Sequence, residues 1–264
     1  IKPFTVGMAL DTHVTTSAET FDVSQPFELS GTLIEDHERI DGLVTLRELL
    51  AKSSNIGAAR LALRIGAQRQ RSFLEKLGLL SPPSLELGRT QQPLAPQAQG
   101  RRDVAGLGFG YGLATTQAAL AGAYTVFAND GALVRPTLLR REAGDPVERT
   151  EVFSPQTTRQ VLAYLRYVVT DGTGHAADVR GLNVAGKTGT AEKLGEGAAY
   201  DESRNFSSFA GVFPASNPRY VIVVSLDDAH EGQVGGTVAA PVVGRVLTRI
   251  APMLGLTVTP RAEH

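Results

Sequence analysis

The sequence predicts an α+β (mixed α/β) fold: an antiparallel sheet flanked by helices, preceded by a large helical region. Three observations lead there. Helix signals fill the first two thirds, with apolar residues at helical spacing between cap residues and glycine stops. Two apolar runs, 206–213 and 220–226, are separated only by Pro214-Ala215-Ser216-Asn217-Pro218, a link short enough to join antiparallel neighbours. An amphipathic stretch over 237–254 follows, and no repeated strand–helix unit or internal repeat is present.

The elements follow in order. The apolar run 4–10 predicts a helix from the first residues. Over 12–42 no periodicity is sustained, and Pro26, Gly31 and scattered polar residues predict loops and short strands. Thr45 and Glu48 form a T-x-x-E capping box, so a helix starts at Leu46, with Val44 and Leu49 at the staple positions. It ends near Ser53-Ser54-Asn55. Ile56, Ala59, Leu61, Leu63 and Ile65 mark a second helix stopped by Gly66, and a third runs over 68–77 to Gly78. Ser53 to Asn55 therefore sit at a helix junction, where side chains can face a cleft.

Pro, Gln and Gly predict a long loop over 81–103. The run from Gly106 to Gly112 reads as too glycine-rich for an element interior, with Gly110 to Gly112 shaping a cleft rim. Thr115 or Thr116 caps a helix with Leu120, Ala123, Tyr124 and Phe127 on one face, ended by Gly131. Ser154-Pro155 opens another, with Val161, Leu162, Leu165, Val168 and Val169 as its stripe and Asp171-Gly172-Thr173-Gly174 as its stop. Residues 182–193 are expected as a strand, Asp227-Asp228 as a strand-end turn, and Gly235-Gly236 as a close backbone passage before the last helix. That helix turns Val242, Val243, Val246, Leu247 and Ile250 inward. One domain over 1–264 is expected, helical to about residue 180 and sheet plus closing helix over about 181–256.

Composition bounds the function. Hydrophobic residues at 42% and charged residues at 20% are ordinary globular values. A net charge of -1 indicates no nucleic acid or other polyanion partner. No apolar run approaches the ~20 residues that cross a bilayer as a helix. The absence of cysteine excludes disulfide and thiolate chemistry. His13, His37, His175, His230 and His264 lack metal-ligand spacing and read as solvated or structural, so neither metal nor cofactor is expected. The sequence opens Ile1-Lys2-Pro3-Phe4 with no signal peptide, and a truncated N-terminus is expected.

The most informative stretch is Gly186-Lys187-Thr188-Gly189-Thr190-Ala191-Glu192-Lys193, which gathers a cation and hydroxyls suited to an anion. With Gly181 it matches the phosphate-loop pattern G-x-x-x-x-G-K-[ST], and 221–227 reads as a strand ending in an aspartate. A phosphate loop leaves a buried strand and opens a helix. Here 176–180 is not apolar, and Leu194-Gly195-Glu196-Gly197 cannot be a helix interior. The other chemistry is the K-T-G strand of serine acyl-transfer enzymes, which requires an upstream Ser-x-Asn and, further upstream, a Ser-x-x-Lys. Ser53-Ser54-Asn55 supplies the first, and Lys2 stands where the second ends.

With these motifs in order, the chain resembles, over essentially its whole length, the transpeptidase domain of class B penicillin-binding proteins of the cell-division type. Ile1 to Val6 is similar to the family's helix after the nucleophile, and 50–57 to its second motif. Gly110-Tyr111-Gly112, Thr116-Gln117 and 128–131 are similar to another family stretch, and 187–193 matches the third motif closely. The resemblance implies a peptidoglycan D,D-transpeptidase that cross-links stem peptides ending in D-Ala-D-Ala in septal wall synthesis, through a serine acyl-enzyme, and is acylated by β-lactams. It places the nucleophilic serine three residues before Lys2, upstream of Ile1. It makes Lys2 the base, Ser53 the proton relay, Asn55 the holder of Lys2 and the substrate amide, and Lys187 an added positive charge. Thr188 and Thr190 bind the substrate carboxylate, Gly189 admits close approach, and the Thr190 amide contributes to the oxyanion hole. Division-complex membrane proteins are the implied partners, and the periplasmic face of the inner membrane the implied location. A β-lactamase or β-lactam sensor of the same fold, or a phosphate-loop nucleotide hydrolase, are the alternatives.

Overall fold

In the computed structural model of this chain, residues 1–83, 85–86, 88, 90–96, 100–142, 144–194, 200–229 and 234–258 are described. His230, His264 and the glycine-containing stretch 195–197 lie outside them. The chain divides into two units, Ile1–Val161 and Leu162–His264.

In the first unit, α1 (Lys2–Asp11) starts where the apolar run predicts. Phe4 anchors it: its ring stacks on Phe127 at 5.5 Å and meets Tyr124 edge-on at 5.4 Å, all three buried. Four short strands follow, β1 (Thr20–Asp22), β2 (Phe27–Leu29), β3 (Thr32–Ile34) and β4 (Leu43–Thr45). They pair antiparallel as β1 with β4 and β2 with β3. Thr45 then closes the predicted capping box. Its hydroxyl accepts from Glu48 N at 3.3 Å while Glu48 Oε2 accepts from Thr45 N at 2.8 Å. The helices α2 (Leu46–Ala51), α3 (Asn55–Ile65) and α4 (Ala67–Lys76) fall where sequence places them, with Gly66 and Gly78 at positive φ between and after. The staple residues Val44 and Leu49 are both buried.

The glycine-rich stretch differs from expectation. A helix, α5 (Arg101–Phe109), runs through Gly106 and Gly108, and the preceding loop stops before it. The reason is close packing of α5 on α3. A Cβ on Gly108 would lie 2.6 Å from Ala62 Cβ and 2.8 Å from Ala58 O. Glycine is thus the fee for helix contact rather than a sign of loop, and only Gly110, the left-handed cap at φ +103°, ends the element. Thr5 ties α1 to the same helix by donating to Gly108 O at 2.6 Å.

The Thr116-capped helix is also shorter than expected. It forms α6 (Gln117–Tyr124), and Phe127 belongs to a separate 3-10 turn, Thr125–Ala128. A two-stranded pair follows, β5 (Ala132–Val134) with β6 (Arg149–Glu151). The helix α7 (Pro155–Asp171) opens at Ser154, whose hydroxyl accepts from Thr157 N at 3.2 Å, and carries the chain into the second unit.

The second unit is a three-stranded antiparallel sheet, β7 (Ala185–Leu194), β8 (Tyr200–Phe213) and β9 (Tyr220–Asp227), in that order. The short Pro214–Pro218 link pairs β8 with β9 as predicted. A final helix, α8 (Gly235–Ile250), packs Ala239, Ala240, Val243 and Leu247 against Phe209, Phe213 and Val184. It begins two residues earlier than expected and ends at Ile250, with 252–254 forming a separate 3-10 turn. Gly235 and Gly236 therefore open the helix instead of preceding it. Val242, Val246 and Ile250 are only half-buried.

Gly108→Ala should destabilise the protein by about 1–3 kcal/mol through overpacking. Gly106→Ala should be neutral or stabilising by up to ~1 kcal/mol, since its Cβ would meet Tyr111 at an ordinary 3.4 Å. Urea denaturation of the two variants checks the contrast.

Candidate active site

In the first unit, the turn between α2 and α3 gathers three of the sequence-predicted residues. Lys2, at the start of α1, donates from Nζ to Ser53 Oγ at 3.1 Å. Ser53 itself sits at φ +60°, a left-handed conformation unusual for a residue with a side chain. The helix cap is not Ser53 but its neighbour. Ser54, fully buried, accepts from Gly57 N at 3.0 Å and donates to Asp36 Oδ2 at 2.7 Å. With the middle serine committed to capping, the Ser53 hydroxyl is left to the lysine.

Asn55 is placed differently from expectation. It does not hold Lys2: its Nδ2 donates to Glu35 O at 2.9 Å, while its backbone N donates to Asp36 Oδ1 at 2.5 Å. Asp36 Oδ1 also accepts from Ile56 N at 3.0 Å. Sequence reasoning missed Asp36 because it arrives from 18 residues upstream of Ser54, in a stretch whose only mark is a run of exposed charge.

Burial removes water from the Lys2 ammonium and lowers its pKa from 10.5 to about 8, against the opposing pull of the Asp36 carboxylate. About a tenth of such a group is free amine at pH 7. That is a usable base, where an ordinary lysine is not.

In the second unit, the Gly186 to Lys193 run lies inside β7. A phosphate loop is therefore ruled out: the motif continues as strand on both sides of Lys187, pairing Lys187 with Ala210 and Thr190 with Ser207, and opens no helix. Lys187 is 6% exposed. Its Nζ donates to Thr188 O at 3.1 Å, to Thr188 Oγ1 at 3.2 Å and to Thr173 Oγ1 at 3.5 Å. Thr173 and Thr188 share a further hydrogen bond of 2.8 Å. Thr173 follows α7, where sequence reads only a helix stop, and no local signal marks it as a partner of the lysine.

The far end of the motif is set by α8. Gly235 N donates to Thr190 Oγ1 at 3.0 Å. That occupies a lone pair and leaves the Thr190 proton free to donate outward. A Cβ on Gly235 would lie 2.4 Å from Gly189 O, so glycine is required for the helix to reach the strand. β7 has β8 as its one strand partner among the described residues, which leaves alternate amides facing away from the sheet. Such an edge, with two threonine hydroxyls and a lysine, can take a carboxylate and a peptide backbone. Asp227 at the end of β9 is an ion partner of Lys193 at 2.6 Å, and Asp228 follows at φ +52°, so the pair is the turn that sequence expects. Among the described residues no group of three or more acidic or histidine side chains is arranged to hold a metal.

The model of the penicillin binding protein transpeptidase domain matches residues 1–248. A probable peptidoglycan D,D-transpeptidase, FtsI, of Caulobacter vibrioides is 38% identical over 269 residues, covering 97% of this chain and 46% of that protein. The peptidoglycan D,D-transpeptidase FtsI of Escherichia coli K12 is 34% identical over 251 residues, covering 94% of this chain and 42% of that protein. The chain thus spans less than half the length of these curated relatives. Among solved structures, the apo TP domain of penicillin-binding protein 3 from Burkholderia pseudomallei superposes with a TM-score of 0.89 at 34% identity, over 96% of this chain and 77% of that one. Penicillin-binding protein 3 from Mycobacterium tuberculosis, complexed with aztreonam, gives 0.86 at 28% identity, over 98% and 62%.

Ser54→Ala should cost about 1–2 kcal/mol of folding stability through loss of the cap. Ser53→Ala keeps the cap and should instead cost about 1–3 kcal/mol by leaving the Lys2 ammonium without its acceptor. Thermal melts of the two variants measure each cost.

Proposed function

Because this chain belongs to the penicillin-binding protein transpeptidase family, we propose that it is the single acyl-transfer domain of a peptidoglycan D,D-transpeptidase. The observation that carries this is the desolvated Lys2 amine on the Ser53 hydroxyl, in a Ser-x-Asn turn held independently of both. The substrate is a stem peptide ending in D-Ala-D-Ala. β-Lactams, which present a strained amide beside an anionic group, acylate the same serine; the aztreonam complex is a property of the mycobacterial relative and supports this by likeness.

The nucleophile of this reading is a serine three residues before Lys2, one helical turn away. Lys2 Nζ takes the serine proton as its oxygen attacks the carbonyl carbon of the penultimate D-alanine. The tetrahedral oxyanion forms against the Thr190 backbone amide and that of the serine. Collapse breaks the C–N bond, and the proton passes by way of Ser53 to the leaving D-alanine amine. An amine of a second stem peptide then attacks the acyl-enzyme and regenerates the serine. Asn55 orients the substrate amide. Thr188 and Thr190 donate to the terminal carboxylate, with Lys187 supplying charge and Gly189 the close approach. The hydroxyl placements of Thr188 and Thr190 described above support those roles.

The FtsI names of the relatives favour septal wall synthesis, with membrane proteins of the division complex as partners and the periplasmic face of the inner membrane as the location. No helix among the described residues is long and apolar enough to cross a membrane.

Labelled penicillin applied to the full-length protein should give a stable covalent adduct. Rapid turnover of the label would favour a β-lactamase instead. Lys187→Ala should abolish labelling, and a near-normal rate in that variant contradicts its role. The labelling rate should rise with pH through a midpoint of about 8, where Lys2 loses its proton. Below that midpoint it should fall about tenfold per pH unit.

A further inference from the structure

Thr173 accepts from Lys187 Nζ at 3.5 Å and shares a 2.8 Å hydrogen bond with Thr188, yet it stands on no regular element. It lies in the 172–184 connection between α7 and β7. Local turns shape that connection. Gly172 N and Gly174 N both donate to Val168 O, and Asp178 N donates to His175 O. Ala177, Val179, Leu182 and Val184 bury it in the core that α8 covers. Apolar burial sets how deep a segment sits but has no preferred direction. The directional restraint comes from one side chain of α7. Arg166 donates from Nη1 to Asp178 Oδ1 at 2.7 Å and from Nη2 to Asp178 Oδ2 at 3.3 Å, and Nη1 also donates to Val184 O at 2.7 Å. A planar guanidinium gripping a carboxylate with two nitrogens fixes orientation as well as distance. Arg166 therefore joins the helix, the residue after the 3-10 turn His175–Ala177, and the residue before β7. The loop it closes is the one that carries Thr173. There is little slack on the far side. A Cβ on Gly236 would lie 2.6 Å from Thr173 O, so the start of α8 already touches the loop.

We propose that Arg166, through Asp178 and the Val184 carbonyl, is a positioning residue for the carboxylate-binding end of the site, holding Thr173 where it meets both Lys187 and Thr188. This rests on the acyl-transfer function proposed above, in which Lys187 and Thr188 receive the substrate carboxylate. The bonds of Arg166 go to Asp178 and Val184, so it acts through the backbone and not on the substrate. Without the fork, the apolar residues still bury the loop, but the Thr173 hydroxyl loses its fixed lie against Lys187. The consequence is selective. Recognition of a carboxylate weakens, while the reacting end of the site, built on Lys2 and Ser53 in the first unit, keeps its own hydrogen bond.

The test uses the full-length protein with Arg166→Met, Arg166→Lys and Asp178→Asn. Two rates are compared: covalent labelling by a labelled penicillin, and labelling by the methyl ester of the same compound, which lacks the anionic carboxylate. Arg166→Met keeps an unbranched helix-forming stem and should label about tenfold more slowly with the acid, the cost of a loosened contact. Its rate with the ester should stay within about twofold of the parent, so the preference for acid over ester falls. Arg166→Lys keeps the charge without the fork and should recover part of the loss. Asp178→Asn should lower the same preference by a smaller factor. An unchanged acid rate in Arg166→Met overturns the proposal. So do equal falls with acid and ester, which would mark a merely structural residue. If Arg166→Met does not fold, the acid-to-ester ratio of Asp178→Asn decides, and an unchanged ratio overturns the proposal. If the parent protein takes no label, the acyl-transfer function fails. Amide hydrogen exchange over 172–178 then still decides whether Arg166 holds the loop: it should quicken about tenfold in Arg166→Met relative to 206–213, and equal exchange in parent and variant overturns the proposal.

Discussion

A lysine amine is costly to take out of water, and both units of this protein do so. Lys2 is met by a hydroxyl rather than a carboxylate in direct contact, donating to Ser53. Lys187 donates to the Thr188 carbonyl and to the Thr188 and Thr173 hydroxyls. The choice matters chemically. A carboxylate at hydrogen-bond distance would hold the ammonium in its charged form, whereas a hydroxyl satisfies the amine and leaves burial free to lower its pKa. In the first unit the nearest acidic influence, Asp36, reaches Lys2 only through space, and burial outweighs it. Helix caps, aromatic anchors and glycine contacts hold the elements that carry these lysines and their hydroxyl partners.

The anchoring is local in each case. Phe4, two residues beyond Lys2, is locked between Tyr124 and Phe127, so the start of α1 cannot swing away from the core. Gly108 lets α5 close on α3, and Thr5 bonds α1 to the end of α5. In the second unit, Gly235 brings the first amide of α8 onto Thr190, so a helix end orients a hydroxyl on the strand. Among the described residues, rigid elements present the groups assigned to the reaction except Ser53, which sits in a turn held by the Ser54 and Asp36 bonds.

Much of this was legible in the sequence. The Thr45–Glu48 box, the Gly66 and Gly78 stops, the β8–β9 pair and the order of the three motifs follow from signals within a few residues of each other. The glycine-rich 106–112 stretch was not, because a glycine needed for helix contact is written with the same letter as one needed for a turn. Gly108 is in the first class and Gly110 in the second, and only the neighbour across the contact separates them. Thr173 and Asp36 were invisible for a related reason. Their partners are 15 and 18 residues away, beyond the range of any local pattern.

The sequence alone determined that Ser53, Ser54 and Asn55 stand at a helix junction, since caps and periodicity are properties of a short segment. It could not decide which serine caps and which serves Lys2, because both are equally good cap residues. Tertiary structure decided it. Asp36 arrives from another part of the chain to take the Ser54 hydroxyl and the first amides of α3, and the backbone then turns Ser53 toward α1. The basicity of Lys2 was likewise undetermined by sequence, since desolvation belongs to the packing around a side chain and not to the residues beside it.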